Sequence, residues 1–182
     1  MVSSVTFKLN ACRYSVGTSY SSNIKVANPS VEYRCRQLQA EVAVMRSTDT
    51  VLIIGGGLVG VEVAANVAEK TMKGKRVILV QSGPYLLPRV RNAHDKVVPY
   101  LQKLGVEVRC DERVVEFNDL ERTYVTNKGN RFVAGKVYRC TGAVPNTEAL
   151  SDSRSHPTVR AALDKKGFVK AGWPQVVNLV DP

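Results

Sequence analysis

The chain has 182 residues, 44% of them hydrophobic, which is enough for one good core, or one core plus a fragment of another. Its net charge of +10 is spread along the chain without a dense basic stripe, which argues against specific nucleic-acid binding and favours a basic surface that attracts anionic ligands. The longest apolar stretch, residues 51–68, is interrupted by glycines and by Glu62, so no membrane-spanning segment is expected.

The N-terminal segment has two interpretations. Residues 1–22 are rich in serine, contain no acidic residue and carry Lys8 and Arg13, a composition compatible with an organelle transit peptide. The alternative, which we prefer, is a strand over residues 10–16 that ends at the small residues 17–19. No apolar segment of the kind found in secretory signals is present.

A connecting helix is predicted next. Ser30 is suited to cap a helix over residues 31–45, because its hydroxyl can accept a hydrogen bond from the first free N–H groups. The apolar residues of this segment follow a loosely amphipathic pattern: Tyr33, Leu38, Val42 and Met45. Residues 47–49 then interrupt the helix before a strongly apolar stretch.

That apolar stretch and the glycines after it organise the rest of the chain. Residues 50–54 are rich in β-branched side chains, which predicts a buried strand, and residues 61–70 are dense in helix formers. Between them, Gly55, Gly57 and Gly60 have the spacing of the dinucleotide-binding pattern. In that pattern the glycines permit a tight turn, close approach of a pyrophosphate and close helix–strand packing.

The strand that follows ends at an unexpected residue. Residues 76–80 predict a second strand, and its tip is where an acidic residue would contact the adenine ribose of a bound dinucleotide. Gln81 occupies this position instead. A glycine-rich turn that binds nothing is the alternative interpretation, and the register of strand, helix and second strand argues against it.

The remaining pattern completes a β-α-β-α-β order and adds a small insertion. A helix over residues 92–104 and a third strand over residues 106–110 are expected. Three short strand-like segments follow, two of them separated by the hairpin signal of residues 127–130, and they predict a small antiparallel meander. Residues 136–140 return to the sheet, residues 147–162 are expected to form a loop, and the segment after them to form a turn and a short strand.

The cysteines and histidines do not suggest a metal or dithiol site. No two cysteines have a C-x-x-C spacing, and the two histidines stand beside no plausible nucleophile or second ligand. The four cysteines are scattered along the chain, which indicates reduced thiols in a reducing compartment; they are Cys12, Cys35, Cys110 and Cys140. The expected location is cytoplasmic, with a mitochondrial or membrane-peripheral location as alternatives.

Four segments resemble the FAD-dependent pyridine nucleotide-disulphide oxidoreductase superfamily. They are residues 55–62, 140–146 and 163–169, together with residues 15–20, which look like the strand that closes the first half of the family's flavin domain. The last match is the reason for preferring a strand to a transit peptide. The closest resemblance is to the apoptosis-inducing-factor-like branch, which includes ferroptosis-suppressor-like quinone reductases and is related to type II NADH dehydrogenases.

The resemblance implies a fold, cofactors and site residues. The fold is α/β: a Rossmann-type parallel sheet with a small antiparallel insertion, flanked by partial FAD-domain segments. NAD(P)H would pass hydride to FAD, which would reduce a small-molecule acceptor such as a quinone, and peripheral membrane association is compatible with this. The resemblance places Glu62 near the nicotinamide and the flavin as the catalytic candidate. The implied cofactor-binding residues are Gly55, Gly56, Gly57, Leu58, Val59, Gly60, Gln81, Thr141 and Gly142.

The chain also departs from the family pattern. The N-terminal FAD glycine motif and the C-terminal Gly-Asp motif are not found, so we expect an incomplete oxidoreductase; the alternative is a non-catalytic NAD(P)-binding module or interaction protein. The expected division is a flavin-domain remnant with connector helix (1–47), an NAD(P)H domain (48–143) and an incomplete return to the flavin domain (144–182). Neutral Gln81 does not repel the extra phosphate of NADP, so the sequence does not decide between NADH and NADPH as the coenzyme.

Overall fold

The computed structural model describes residues 17–19, 30–71, 74–152 and 157–170. The chain divides into two compact units, one formed by Tyr20–Gly142 and the other by Met1–Ser19 with Ala143–Pro182. The strands are β1 (Thr18–Ser19), β2 (Thr50–Ile54), β3 (Arg76–Val80), β4 (Val106–Arg109), β5 (Val114–Asn118), β6 (Thr123–Thr126), β7 (Arg131–Val133), β8 (Lys136–Arg139) and β9 (Val144–Pro145). The helices are α1 (Val31–Ser47), α2 (Leu58–Asn66), α3 (His94–Lys103), α4 (Glu148–Ser151) and α5 (Pro157–Ala161).

The larger unit is built on a four-stranded parallel sheet in the order β4-β3-β2-β8. Strands β3 and β4 therefore lie on one side of β2, and β8 lies on the other side. In such open sheets, ligands bind at the carboxyl ends of the strands where the strand order reverses. The reversal here falls beside β2, at the point where the glycine turn begins.

Both faces of this sheet are buried, which explains why its central strands are continuous apolar runs. Val51 and Ile53 face α2 and α3 in one core cluster, and Leu52 faces the opposite cluster. Each of these three side chains has no exposed surface. Burying an aliphatic side chain of this size contributes about 1.5–3 kcal/mol, so the alternation along β2 fixes the sheet between two layers.

The layer opposite the helices is the predicted meander, a three-stranded antiparallel sheet in the order β5-β6-β7. Tyr124 and Phe132 pack from it against Leu52 and Ile78 of the parallel sheet. The hairpin between β6 and β7 closes where the Thr126 N–H donates to the Asn130 carbonyl oxygen over 2.9 Å. The mixed α/β fold with a parallel sheet and an antiparallel insertion is therefore confirmed.

Helix α1 begins as its sequence predicts. The Ser30 hydroxyl accepts a hydrogen bond from the Tyr33 N–H over 3.3 Å and caps the first turn. Met45 is buried in the core of the larger unit, whereas Leu38 and Val42 are about half exposed. Helix α2 starts three residues earlier than predicted, and a π-helical turn (Val67–Thr71) follows it.

In the smaller unit, β1 pairs antiparallel with β9. The predicted strand over residues 10–16 lies outside the described residues. The prediction of a loop over residues 147–162 is wrong, because α4 and α5 form within it. Both are about one turn long, too short for a helical period to show in the sequence, and Leu150 anchors α4 by burial. No helix among the described residues has the length and apolarity that a bilayer crossing requires.

Candidate functional site

The turn after β2 is built on contacts that only glycine permits. Gly55 has a φ of +109°, and a Cβ on it would lie 2.5 Å from the Cys140 carbonyl oxygen. A Cβ on Gly60 would lie 1.8 Å from the Gly55 carbonyl oxygen, so α2 packs directly on the turn. The obstructing atoms are backbone and cannot move aside as a flexible side chain can. Glycine at both positions is therefore required by the fold itself.

Gly56, which lies between the first two glycines of the pattern, is held by the segment that follows β3. The Gly56 N–H donates to Oε1 of Gln81 over 2.8 Å, and the Gly56 carbonyl accepts from the Leu87 N–H over 2.8 Å. A Cβ on Gly56 would lie 2.4 Å from Cδ2 of Leu86, which is fully buried. Both polar groups of this peptide are satisfied within the protein, so Gly56 shapes the turn and does not offer its N–H to a ligand.

Gly57, in contrast, faces open space. A Cβ on Gly57 would meet no atom within 4 Å, and the residue has extended backbone with φ −76° and ψ −174°. Gly57 is the N-cap of α2 and provides no side-chain cap. The first N–H groups of a helix have no partner within the helix, and those of Leu58 and Val59 form no hydrogen bond among the described residues.

This arrangement fits the pyrophosphate of a dinucleotide. The helix N-terminus carries a partial positive charge and free N–H donors, and both favour an anion. The open space at Gly57 lets an anion approach the backbone, space that a side chain would fill. The turn also lies at the strand-order reversal of the sheet, where this fold class binds its ligands.

Gln81 lies at the tip of β3 with its amide turned back onto the glycine turn. Its backbone N–H donates to the Arg109 carbonyl over 2.8 Å, and its carbonyl accepts from the Glu112 N–H over 3.0 Å. These bonds and the side-chain bond to Gly56 leave the residue with one orientation. The sequence indicates that this position matters, but it does not show the contact with Gly56.

Thr141 and Gly142 follow β8, the strand that pairs with β2 on the other side. The backbone nitrogen of Thr141 lies 3.2 Å from the position of a Cβ on Gly55, so the two strand ends meet. Gly142 has a φ of +117°, and a Cβ on it would find open space. Both residues are exposed at the carboxyl edge of the sheet beside the glycine turn.

Glu62 lies two residues beyond Gly60 on α2, and its side chain is exposed. Its backbone carbonyl accepts a hydrogen bond from Nδ2 of Asn66 over 3.0 Å, and its exposed carboxylate forms no ion pair among the described residues. The structure thus places Glu62 on the helix that the glycine turn begins. Its catalytic role stays a prediction.

The loop between β3 and α3 closes over the glycine turn, which the sequence does not reveal. Nδ1 of His94 accepts a hydrogen bond from the Leu86 N–H over 3.0 Å, and the His94 ring makes an edge contact with Tyr85. Leu87 has a φ of +52°, a strained conformation for a branched side chain, and this directs its N–H to Gly56. The apolar pair Leu86 and Leu87 between two prolines is the sequence signal that could have indicated this contact.

A second unpredicted feature is the buried carboxylate of Glu112, just after β4. Its side chain is 3% exposed, and Oε1 accepts hydrogen bonds from Oγ1 of Thr126 over 2.7 Å and Nδ2 of Asn130 over 2.6 Å. Burial by itself would raise the pKa of Glu112, but these two bonds and the charge of Arg109 hold that pKa below its usual value. Glu112 therefore ties the antiparallel layer to the parallel sheet as an ionised group.

Two cysteines near the site have unreactive surroundings. Burial raises the pKa of the Cys140 thiol, which lies beneath the glycine turn. Burial, followed by the nearby charge of Asp111, raises the pKa of Cys110. Because the thiolate is the nucleophilic form, both side chains behave as small apolar groups at neutral pH.

Several curated proteins resemble this chain over part of their own length. Fe-regulated protein 8 of Mycosarcoma maydis is 31% identical over 69% of this chain and 34% of its own length. The type II NADH:quinone oxidoreductase Ndh of Mycobacterium tuberculosis is 32% identical over 89% of this chain and 41% of its own length. Ferroptosis suppressor protein 1 of Taeniopygia guttata is 30% identical over 59% and 31%, respectively, which supports the apoptosis-inducing-factor-like branch. The chain thus spans less than half the length of each.

Solved structures and a family model agree with these relatives. The FAD-dependent pyridine nucleotide-disulphide oxidoreductase of Desulfovibrio vulgaris is 25% identical with a TM-score of 0.55, covering 71% of this chain and 32% of that one. The water-forming NADH oxidase of Lactobacillus brevis bound to NADH has the same identity and TM-score over 62% and 25%. The model of the pyridine nucleotide-disulphide oxidoreductases matches residues 18–170. The chain therefore belongs to the pyridine nucleotide-disulphide oxidoreductase family.

Proposed function

We propose that this chain is the NAD(P)H-binding part of a flavin-dependent oxidoreductase. The observation that supports this most is the contrast among the glycines: Gly55 and Gly60 are closed by backbone contacts, while Gly57 is open at the start of α2. A turn built only for packing would not need an open position at the helix N-terminus. An open glycine there has a physical purpose when a phosphate approaches the backbone.

Each predicted site residue has a role in this proposal. The N–H groups of Leu58 and Val59 bind the pyrophosphate, which reaches the backbone through the open space at Gly57. Gln81 lies beside the adenine ribose, since it occupies the tip of the strand adjacent to β2. Thr141 and Gly142 border the nicotinamide ribose from the other strand adjacent to β2. The remaining predicted residues shape the turn itself: Gly55, Gly56 and Gly60.

The reaction follows the family. Bound at the glycine turn, NAD(P)H would supply a hydride, and a flavin would supply the two-electron relay to an acceptor. We propose a small-molecule acceptor of the quinone class, because the Mycobacterium tuberculosis relative is named as an NADH:quinone oxidoreductase. Glu62 is proposed to orient the reacting end of the coenzyme, and no residue of this chain is assigned to the flavin.

The division of the chain also becomes part of the proposal. The unit of residues 20–142 contains the whole glycine turn and its neighbours, so it is the coenzyme-binding part. Residues of the other unit, 1–19 and 143–182, are proposed to correspond to partial flavin-domain segments. Helix α1 packs Met45 into the core of the coenzyme-binding unit, which makes it a structural part of that unit.

The absorption spectrum of the purified chain tests this proposal. After incubation with FAD and removal of the unbound flavin, we expect a flavin band that bleaches when NADH or NADPH is added in the absence of oxygen and returns when a quinone is added. Coenzyme binding without any flavin band or bleaching would favour a non-catalytic NAD(P)-binding module. Failure to bind either coenzyme or flavin would overturn the proposal.

A further inference from the structure

We infer that Gln81 makes this chain an NADPH-binding protein, with NADPH bound more tightly than NADH. The inference rests on the proposed function and specifies which coenzyme that site takes. The two coenzymes differ only by the phosphate on the adenine ribose, so the residues beside that ribose decide between them. In this chain those residues are Gln81 and the loop that follows it.

The hydrogen bond to Gly56 determines which end of the Gln81 amide is available to a ligand. A glutamine side chain has one acceptor oxygen and one NH2 group. The acceptor, Oε1, is used by the Gly56 N–H over 2.8 Å. The Nε2 group has no acceptor among the described residues, and it lies 3.6 Å from the position of a Cβ on Gly83.

The available group is therefore a donor with no negative charge. A carboxylate at this position would accept hydrogen bonds from the ribose hydroxyls of NADH and would repel the phosphate of NADPH. The NH2 group of Gln81 does the opposite, because it can donate to a phosphate oxygen and carries no charge that repels it. The backbone of Gln81 is hydrogen-bonded to Arg109 through its N–H and to Glu112 through its carbonyl. These two bonds fix the position from which the side chain extends.

The loop beyond Gln81 adds positive charge. Residues 82–94 contain Arg89 and Arg91 and no acidic residue. Both arginines are exposed, and neither forms an ion pair with a carboxylate in the part of the chain that the structure describes. The Arg91 guanidinium lies 5.4 Å from the centre of the Tyr85 ring, which keeps it along the loop that covers the glycine turn.

Two exposed carboxylates oppose these charges, and the first is Asp95, which directly follows the loop. The Asp111 N–H donates to the Gly83 carbonyl over 3.0 Å, so this exposed residue lies next to the same loop. Glu112 is next to it, but its carboxylate is buried and hydrogen-bonded away from the loop. Lys128 adds a third exposed cation, because its Nζ lies 3.5 Å from the Cys110 carbonyl oxygen, next to Asp111. Three exposed cations against two exposed carboxylates leave this region net positive, which favours the coenzyme with the additional phosphate.

Equilibrium binding of NADPH and NADH to the full chain, measured by calorimetry, tests the inference. We expect NADPH to bind about tenfold more tightly than NADH, a difference typical of one hydrogen bond to a charged group. Gln81→Glu keeps the acceptor for Gly56 but adds a charge, so it should weaken NADPH about tenfold and leave NADH unchanged or slightly tighter. Gln39→Glu makes the same chemical change on exposed α1 and should alter neither affinity.

The competitor 2′-AMP provides a second measurement that needs no nicotinamide. It should displace NADPH better than 5′-AMP does, and Gln81→Glu should remove that advantage. Tighter binding of NADH by the unsubstituted chain, or a coenzyme preference that Gln81→Glu does not change, would overturn the inference and leave the proposed function standing. Failure of both coenzymes to bind would overturn both.

Discussion

Gly60 lies so close to Gly55 that a Cβ on Gly60 would be 1.8 Å from the Gly55 carbonyl oxygen. This contact brings the first turn of α2 against the end of β2 and fixes where the free N–H groups of the helix point. It makes the fold of the larger unit and the geometry of the candidate site depend on the same two residues. Packing and coenzyme binding can still be separated, because the neighbouring glycine at position 57 has no such contact.

We predict that Gly60→Ala destabilises the protein. The added methyl group meets backbone that cannot move aside, so overpacking should cost about 1–3 kcal/mol or more of unfolding free energy. Urea denaturation followed by circular dichroism measures this. An alanine variant as stable as the unsubstituted protein would show that α2 is not seated on the turn as described.

Gly57→Ala should have the opposite profile. Its methyl group enters open space at an ordinary backbone conformation, so the unfolding free energy should change by less than about 0.5 kcal/mol. The same methyl group would occupy the approach of the pyrophosphate, and NADPH affinity should fall about tenfold or more. Calorimetric titration measures the affinity, and unchanged binding would contradict the proposed position of the coenzyme.

Leu86 is predicted to be the main apolar contact that holds the loop over the glycine turn. Leu86→Ala removes a fully buried side chain and should cost about 2–5 kcal/mol of unfolding free energy. Leu120→Ala is the matched control, because Leu120 is 96% exposed and its loss should cost less than about 0.5 kcal/mol. Thermal or chemical denaturation of both variants measures the two losses of stability. Equal losses would contradict the packing of the loop over the glycine turn.

Glu112 gives the protein a defined sensitivity to acid. Its folded-state pKa lies below the ordinary value of 4.5, so ionised Glu112 stabilises the fold above that pH. The contribution is lost as the pH falls below 4.5 and through the lowered folded-state pKa. Glu112→Gln keeps an oxygen acceptor for Thr126 and Asn130 but cannot titrate, so its unfolding free energy should fall by about 1 kcal/mol at pH 7 and depend less on acid.

The control for this pH dependence is Glu116→Gln on exposed β5, which should keep the acid sensitivity of the unsubstituted protein. Urea denaturation at a series of pH values between neutral and strongly acidic conditions provides the comparison. If Glu112→Gln loses as much stability on acidification as the unsubstituted protein does, the carboxylate is not the group that couples folding to pH.

Glu62 should affect turnover more than binding. Glu62→Gln removes a charge from the exposed surface of α2 without loss of packing, so stability should stay within about 0.5 kcal/mol. If it orients the reacting end of the coenzyme, the rate of flavin bleaching by NADPH should fall about tenfold or more while the Kd for NADPH stays constant. Glu69→Gln, also exposed, should leave both unchanged.

The sequence predicts most of the larger unit because its signals are local. The apolar run of β2, the glycine spacing and the hairpin residues 127–130 each indicate one element, and their order indicates the parallel sheet with its insertion. Ser30 identifies the start of α1 for the same reason, since a capping hydroxyl acts within one turn. Elements of about one turn, such as α4, carry too few residues for a period to show.

The contacts that close the site are long-range, and the sequence does not reveal them. Gln81 and Gly56 are 25 positions apart, and the sequence shows a glutamine where an acidic residue is expected but not that its Oε1 accepts the Gly56 N–H. The bond from Leu86 to His94 depends on the left-handed backbone of Leu87, which a leucine rarely adopts. Burial of Glu112 likewise depends on the antiparallel layer packing over it.

The most direct test of the account is an NMR titration of the isotopically labelled chain with NADPH. The backbone amide resonances of Gly57, Leu58 and Val59 should shift strongly, because their N–H groups bind the pyrophosphate, and those of Gln81 and Gly142 should shift as flanking residues. Saturable shifts centred on these residues would support coenzyme binding at the glycine turn. No saturable shift, or shifts confined to α1 or the antiparallel layer, would contradict it.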